Sequence, residues 1–174
     1  TSATSMQYVT IVEAKNNGID YLEVTGVTTV TTDYNAATNL STFTVNGGAI
    51  TGFSATGVEG VRLGGTAAMT ATGGANDDRI VSVNYGKRMI GGAGNDYLDS
   101  EGGGGEGTTN NNTRGDTMDG GNGSDTYVVS TWDYYTTGAS GDNQTNPAIQ
   151  DVVSDTGTNV GDIDTVIIEW TDKE

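Results

Sequence analysis

The feature that most restricts the fold is a nine-residue pattern, G-G-x-G-x-D-x-(apolar)-x, which occurs twice without a mismatch. It covers Gly91–Asp99 and Gly120–Val128, and a degenerate copy with asparagine at the third glycine covers Gly73–Val81. Glycine allows positive φ and lets a carbonyl turn inward without a Cβ clash. The first six residues of each copy therefore predict a turn, and the last three predict a short strand.

The spacing of the copies predicts how their turns stack. Gly73 lies 18 residues before Gly91. A period near 18 in short strands and Gly-rich turns predicts a coil of parallel strands, one repeat per winding. Gly91 lies 29 residues before Gly120, and setting aside the 11-residue segment Ser100–Asn110 restores the period. We therefore expect that segment to bulge out, with the turn at Gly91 stacked between the other two.

Short runs of β-branched and aromatic residues predict strands elsewhere, and no sustained helical pattern occurs. Phe43 and Val45 stand 18 residues before Val61 and Leu63, so the Thr-rich first part is expected to join the same coil. The predicted strands are Tyr8–Val12, Tyr21–Val24, Val27–Thr32, Phe43–Val45, Val58–Leu63, Arg79–Val83, Tyr127–Val129 and Val166–Trp170.

These patterns together predict an all-β chain built as a right-handed parallel β-roll or β-solenoid, with calcium bound between stacked Gly/Asp-rich turns. We divide it into a Thr-rich segment (1–57), a repeat-bearing segment (58–129) and a segment of capping strands with a long loop (130–174). The chain begins TSATSMQ, without an initiator methionine. We expect a processed chain or a piece of a longer one.

Charge and composition exclude several functions. The chain has 23 acidic and 7 basic residues, a net charge of −16, and so should repel nucleic acid and anionic membranes. It contains neither cysteine nor histidine, which excludes disulfides, thiol nucleophiles, Ser-His-Asp triads and His-ligated zinc. No apolar run is long enough to span a membrane. Carboxylate and carbonyl oxygens instead suit a hard cation such as calcium.

Calcium takes six to eight oxygen ligands, more than one such turn supplies, so two stacked turns must share an ion. We predict one ion between Asp78 and Asp96 and a second between Asp96 and Asp125. On the opposite side Asn84 and Asp116 form a poorer pair. The predicted metal residues are Gly73, Ala75, Asp78, Gly91, Gly92, Ala93, Gly94, Asn95, Asp96, Gly120, Gly121, Asn122, Gly123, Ser124, Asp125 and, as the weaker candidate, Asp116.

The nonapeptides resemble the repeats-in-toxin (RTX, haemolysin-type) calcium-binding repeat family. Val58–Asp78 is similar to the segment that precedes such arrays, and Asp125–Val129, Asp151–Val153 and Gly161–Val166 are similar to the segment that follows them. The resemblance implies secretion through a one-step exporter and calcium-driven folding outside the cell. Residues 1–57 match only in general strand character.

Several features have two interpretations. The turn aspartates would cap their own backbone in a metal-free chain, and Asp20 and Asp33, which lack a glycine context, are expected to be turn residues. Asp162 and Asp164 either bind another ion or cap the last winding. The aromatic side chains near the loop Asp133–Ala148, namely Trp132, Tyr134 and Tyr135, either stack on sugars or pack against the body. The pair Asp96 and Asp99 is better explained by ligands than by a glycosidase.

The first function hypothesis is therefore a calcium-folded extracellular module, secreted or at the cell surface, in a surface layer, adhesin or matrix protein. Its partners would be calcium, copies of itself or neighbouring surface proteins, with no nucleic acid and no membrane insertion. The alternatives are the secretion and folding tail of an exported hydrolase or toxin, and a carbohydrate-binding module that takes glycans. Because no catalytic constellation is found, we do not expect an enzyme.

Overall fold

The structure is a computed structural model, which describes residues 18–45, 50–65, 67–84, 86–101, 115–130 and 151–169. This part of the chain contains thirteen strands, in two sheets, and no helix. The six-stranded sheet has the order β1 (Tyr21–Val24), β5 (Gly60–Leu63), β7 (Arg79–Ser82), β9 (Tyr97–Asp99), β11 (Thr126–Ser130) and β13 (Thr165–Glu169). The seven-stranded sheet has the order β12 (Val152–Val153), β10 (Thr117–Asn122), β8 (Lys87–Ala93), β6 (Met69–Thr72), β2 (Thr29–Asn35), β3 (Leu40–Val45) and β4 (Ile50–Thr56).

From β5 onward the chain alternates between the two sheets, so each strand pairs with the next but one along the chain. All pairs in the six-stranded sheet are parallel, and Ile80 pairs with Val61 on one side and Leu98 on the other. Ile80 and Leu98 are 18 residues apart in the sequence. The period read from the glycines is thus the distance between neighbouring strands of this sheet.

One apolar core lies between the two sheets. The six-stranded sheet contributes Ile80, Leu98 and Tyr127, and the seven-stranded sheet contributes Met89 and Met118, all of them buried. Strands this short point only one or two side chains inward, because successive side chains alternate between faces. The core is therefore a single row of contacts from each sheet, and the turns must fix the register.

The predicted right-handed parallel β-roll or β-solenoid is wrong. The described strands form two sheets of which one is mixed, because β2, β3 and β4 pair antiparallel within the seven-stranded sheet. Parallel strands on this scale are more typical of α/β proteins, whose helices cover both faces of the sheet. Here no helix occurs in the described ranges, and each sheet covers the inner face of the other.

The antiparallel strands have a local cause. Asn35 ends β2, and its side-chain oxygen accepts hydrogen bonds from the backbone N–H groups of Ala37 and Thr38. Asn39 then adopts a positive φ of 55°, which asparagine tolerates. This turn reverses the chain, so Phe43 pairs with Thr32 rather than lying one winding before Val61. The period predicted between Phe43 and Val61 is therefore wrong.

The described strands from all three predicted segments take part in these sheets. Residues 1–57 supply β1 to β4, and residues 130–174 supply β12 and β13. The predicted strand Tyr8–Val12, most of the bulge Ser100–Asn110 and the loop Asp133–Ala148 lie outside the described residues. Within the described part, no segment qualifies as a membrane-crossing helix.

Candidate metal centre

An acidic residue stands directly before every strand of the six-stranded sheet. Because the strands are parallel and in register, these six residues lie side by side along one edge of the stack. We refer to them as the acid column: Asp20, Glu59, Asp78, Asp96, Asp125 and Asp164. The sequence analysis assigned three of them to a metal site, whereas Asp20 was expected to be a turn residue, Asp164 was left open and Glu59 was missed.

Side chains of the acid column are held by the backbone of the neighbouring winding. The N–H of Asp78 donates to Asp96 Oδ1 at 2.7 Å, and the N–H of Asp96 donates to Asp125 Oδ1 at 2.7 Å. The N–H of Asp125 donates in the same way to Asp164 Oδ1 at 2.9 Å. Each of these carboxylates therefore lies inside the stack with one oxygen fixed.

The second carboxylate oxygen distinguishes the members of the column. Asp78, Asp96 and Asp125 are each 1% exposed. Asp78 is satisfied at both oxygens, by the N–H groups of Tyr34 and Gly74. The Oδ2 atoms of Asp96 and Asp125 are buried and have no hydrogen-bond partner among the described residues. A buried oxygen of this kind is costly, so it calls for a proton or a cation.

Burial changes the acidity of these groups. It raises the pKa of Asp96 to about 8, a shift opposed by the hydrogen bond from the Asp78 N–H and increased by the charges of Asp125 and Asp78. Burial also raises the pKa of Asp78 to about 6. The pKa of Asp125 is raised by burial and by the charges of nearby aspartates, Asp164 first among them. Ionised carboxylates are thus unfavourable here unless a positive charge is supplied.

Without a cation, the folded chain should lose stability as the pH rises. The Asp96 carboxyl has an ordinary pKa of 3.8 and a folded-state pKa of about 8, so the folded state holds its proton more tightly than the unfolded chain does. Between these values the free energy of unfolding falls as the pH increases. We expect a higher melting temperature in chelator near pH 5 than near pH 8, and Asp96→Asn should weaken this dependence. A wild-type melting temperature that is constant or rising over this interval would contradict the expectation.

The glycine turns stack as closely as backbones allow. The N–H of Ala93 donates to the carbonyl of Gly74 at 3.0 Å, and the N–H of Gly94 donates to the carbonyl of Asn122 at 2.9 Å. A Cβ placed on Gly123 would overlap the carbonyl oxygen of Gly94. The residues in these stacked turns include the predicted Gly73, Ala75, Gly91, Gly92, Ala93, Gly94, Asn95, Gly120, Gly121, Asn122, Gly123 and Ser124.

Two further groups of acids adjoin the turns and were not assigned to the metal site from the sequence. Asp33, in β2, accepts a hydrogen bond from the Asn76 side chain at 2.6 Å. At the other end of the stack, Asp162 accepts from the N–H of Gly123 and Asp155 from the N–H of Gly121. These acids close the first and last described turns. Asp33 carried no sequence signal, because it approaches its turn from the antiparallel strands.

On the opposite side of the stack the predicted pair does not form. Asp116 is 1% exposed and accepts a hydrogen bond from the N–H of Lys87 at 2.7 Å. Asn84 is instead bonded through its carbonyl to the hydroxyl of Ser82. The neighbour of Asp116 in the stack is therefore Lys87.

Comparison with protein-family models, curated proteins and solved structures finds no match. The resemblance to the RTX repeats therefore stays a prediction from the nonapeptides. Within the described ranges, no three or more Asp, Glu, His or Cys side chains are grouped as metal ligands. An ion at the acid column would have to take most of its ligands from elsewhere.

Proposed function

We propose that this chain is a calcium-binding, calcium-folded structural module that works outside the cell. The observation that carries the proposal is the pair of buried, unpartnered Oδ2 atoms on Asp96 and Asp125, in consecutive turns of the acid column. Both belong to the undamaged nonapeptides, in which glycines bring backbone carbonyls close to the carboxylates. This donor set consists of oxygens alone, as a hard cation prefers.

The residues present fit calcium better than they fit a smaller ion. Calcium accepts six to eight oxygens in irregular geometry, whereas magnesium requires a near-ideal octahedron. The lack of a three-acid group in the described part means that backbone carbonyls of the turns would supply most of the ligands. Asp96 and Asp125 would hold the ion, which would supply the positive charge that their ionised forms lack. Asp78, already satisfied by two N–H groups, would contribute less.

Folding and binding would then be coupled. The acid column brings six carboxylates together in a chain whose net charge is −16 and whose apolar content is only 33%. Repulsion along the column opposes the compact state until a cation neutralises it. Extracellular modules bind calcium with dissociation constants of roughly 10⁻⁴ to 10⁻³ M. Such an affinity favours the loose chain in the cytoplasm and the folded one outside, which suits a part of a surface layer, adhesin or matrix protein.

The test is the size of the chain in solution, measured by size-exclusion chromatography with light scattering in chelator, in calcium and in magnesium. We expect calcium, at concentrations on the order of 1 mM, to shrink the hydrodynamic radius and raise the melting temperature. Magnesium at the same concentration should do neither. If the radius and the melting temperature are the same in chelator and calcium, the proposal is wrong.

A further inference from the structure

Lys87 is the one described lysine, and its charged end is inside the protein. The residue is 1% exposed, although lysine is almost never fully buried unless it is paired. Its Nζ donates hydrogen bonds to the carbonyl oxygens of Gly65 and Ala67, each at 2.8 Å. Both carbonyls belong to the turn between β5 and β6, which lies one winding before Lys87. The ammonium group therefore joins two consecutive windings.

The position of Lys87 in the stack corresponds to that of the acid column on the other side. In the seven-stranded sheet Lys87 pairs with Met69, and its N–H donates to Asp116 Oδ1 at 2.7 Å. The N–H of Asp116 donates in turn to Asp151 Oδ1 at 2.7 Å. This is the bonding pattern of the acid column, repeated in a second column consisting of Met69, Lys87, Asp116 and Asp151.

The second column differs from the acid column in its charges. Its first two members are Met69 and Lys87, so the turn that faces Gly65 and Ala67 has no carboxylate of its own. A divalent cation there would lack anionic ligands. A primary ammonium group is suited to the site, because it carries one charge and has three N–H donors for uncharged carbonyls. Its charge also acts on the Asp116 carboxylate, the nearest acid of the column.

We propose that the Gly65 and Ala67 carbonyls, with Asp116 behind them, form a cation site for a primary ammonium group that Lys87 fills permanently. The chain's own side chain thus provides on this side the positive charge that the other side must take from solution. The site holds its windings together without metal. This inference does not depend on calcium binding at the acid column.

The first experiment uses the wild-type chain, folded in calcium, and reacts it briefly with an amine-acetylating reagent. Mass spectrometry compares the acetylation rate of Lys87 with its rate in denaturant. We expect at least about a tenfold slower reaction in the folded protein, because the amine must leave the two carbonyls and reach solvent. Equal rates would overturn the proposal.

The second experiment compares Lys87→Met with Arg88→Met. The two variants lose the same charge at adjacent positions of β8, but Arg88 is exposed. Lys87→Met leaves two carbonyls unsatisfied, and we expect its melting temperature in calcium to fall by about 5 °C or more. Arg88→Met should shift it by less than about 2 °C. Equal shifts would overturn the proposal, and if Lys87→Met does not fold, the acetylation rates decide.

Discussion

Asp96→Asn is expected to weaken calcium binding at least about tenfold, which corresponds to about 1.4 kcal/mol. Asparagine keeps the size of the side chain and an oxygen that accepts the hydrogen bond from the Asp78 N–H, so the stack is preserved. The variant loses the charge of a buried oxygen that has no other partner. Calcium affinity is measured by isothermal titration calorimetry. In chelator the variant should be at least as stable as the wild type, because repulsion with Asp125 and Asp78 is removed.

Asp77→Asn is the matched control for this experiment. Asp77 is exposed, and its carboxylate accepts a hydrogen bond from the N–H of Asn95 at 2.7 Å. The substitution makes the same charge change in a neighbouring turn, outside the acid column. We expect less than about a threefold change in calcium affinity, as for other exposed charges. If both variants bind calcium equally well, Asp96 is not a ligand.

Gly123→Ala should be the most destabilising single substitution in the described turns, at about 3 kcal/mol or more. Gly123 has a φ of +134°, a conformation that residues with a Cβ rarely adopt. The added methyl group would also overlap the carbonyl oxygen of Gly94 in the adjacent winding. A backbone atom cannot move aside without separating the two windings. Urea unfolding in calcium measures the loss.

Gly161→Ala separates the two contributions to this loss. Gly161 has a φ of +105°, but nothing lies within 4 Å of the place where its Cβ would be. Only the backbone conformation is strained, and we expect a loss of about 1–2 kcal/mol. The difference between the variants then measures the close stacking of the turns. Equal losses would show that the windings are not in contact at Gly123.

Most of the six-stranded sheet could be predicted from the sequence. Its strands carry β-branched runs, as in Arg79–Ser82 and Thr165–Glu169, and an acid or a turn precedes each of them. Strands β6, β8, β10 and β12 of the other sheet were missed. β8, with the sequence KRMIGGA, runs into the glycines of the next turn, and its residue Met89 is fully buried. One buried side chain followed by glycines does not give the alternation by which strands are recognised.

The candidate site was predictable only in part, for a similar reason. The glycine pattern identifies Asp96 and Asp125, because their turns must adopt conformations that only glycine permits. Glu59 and Asp164 join the column through strand register alone, which no local pattern reveals. The role of Lys87 was also missed, since the burial of its ammonium group depends on carbonyls some twenty residues earlier in the chain.

The antiparallel strands β2, β3 and β4 have a consequence for how the chain folds. Among the described strands, they alone pair with their immediate neighbours along the chain. Hairpins close within microseconds, whereas pairs between more distant strands must first overcome the entropy of closing a longer loop. We expect this three-stranded unit to form early and to present the edge of β2 as a template for β6. Later windings would then be added in one direction, so the last strand, β13, would be the last to form and the first to open.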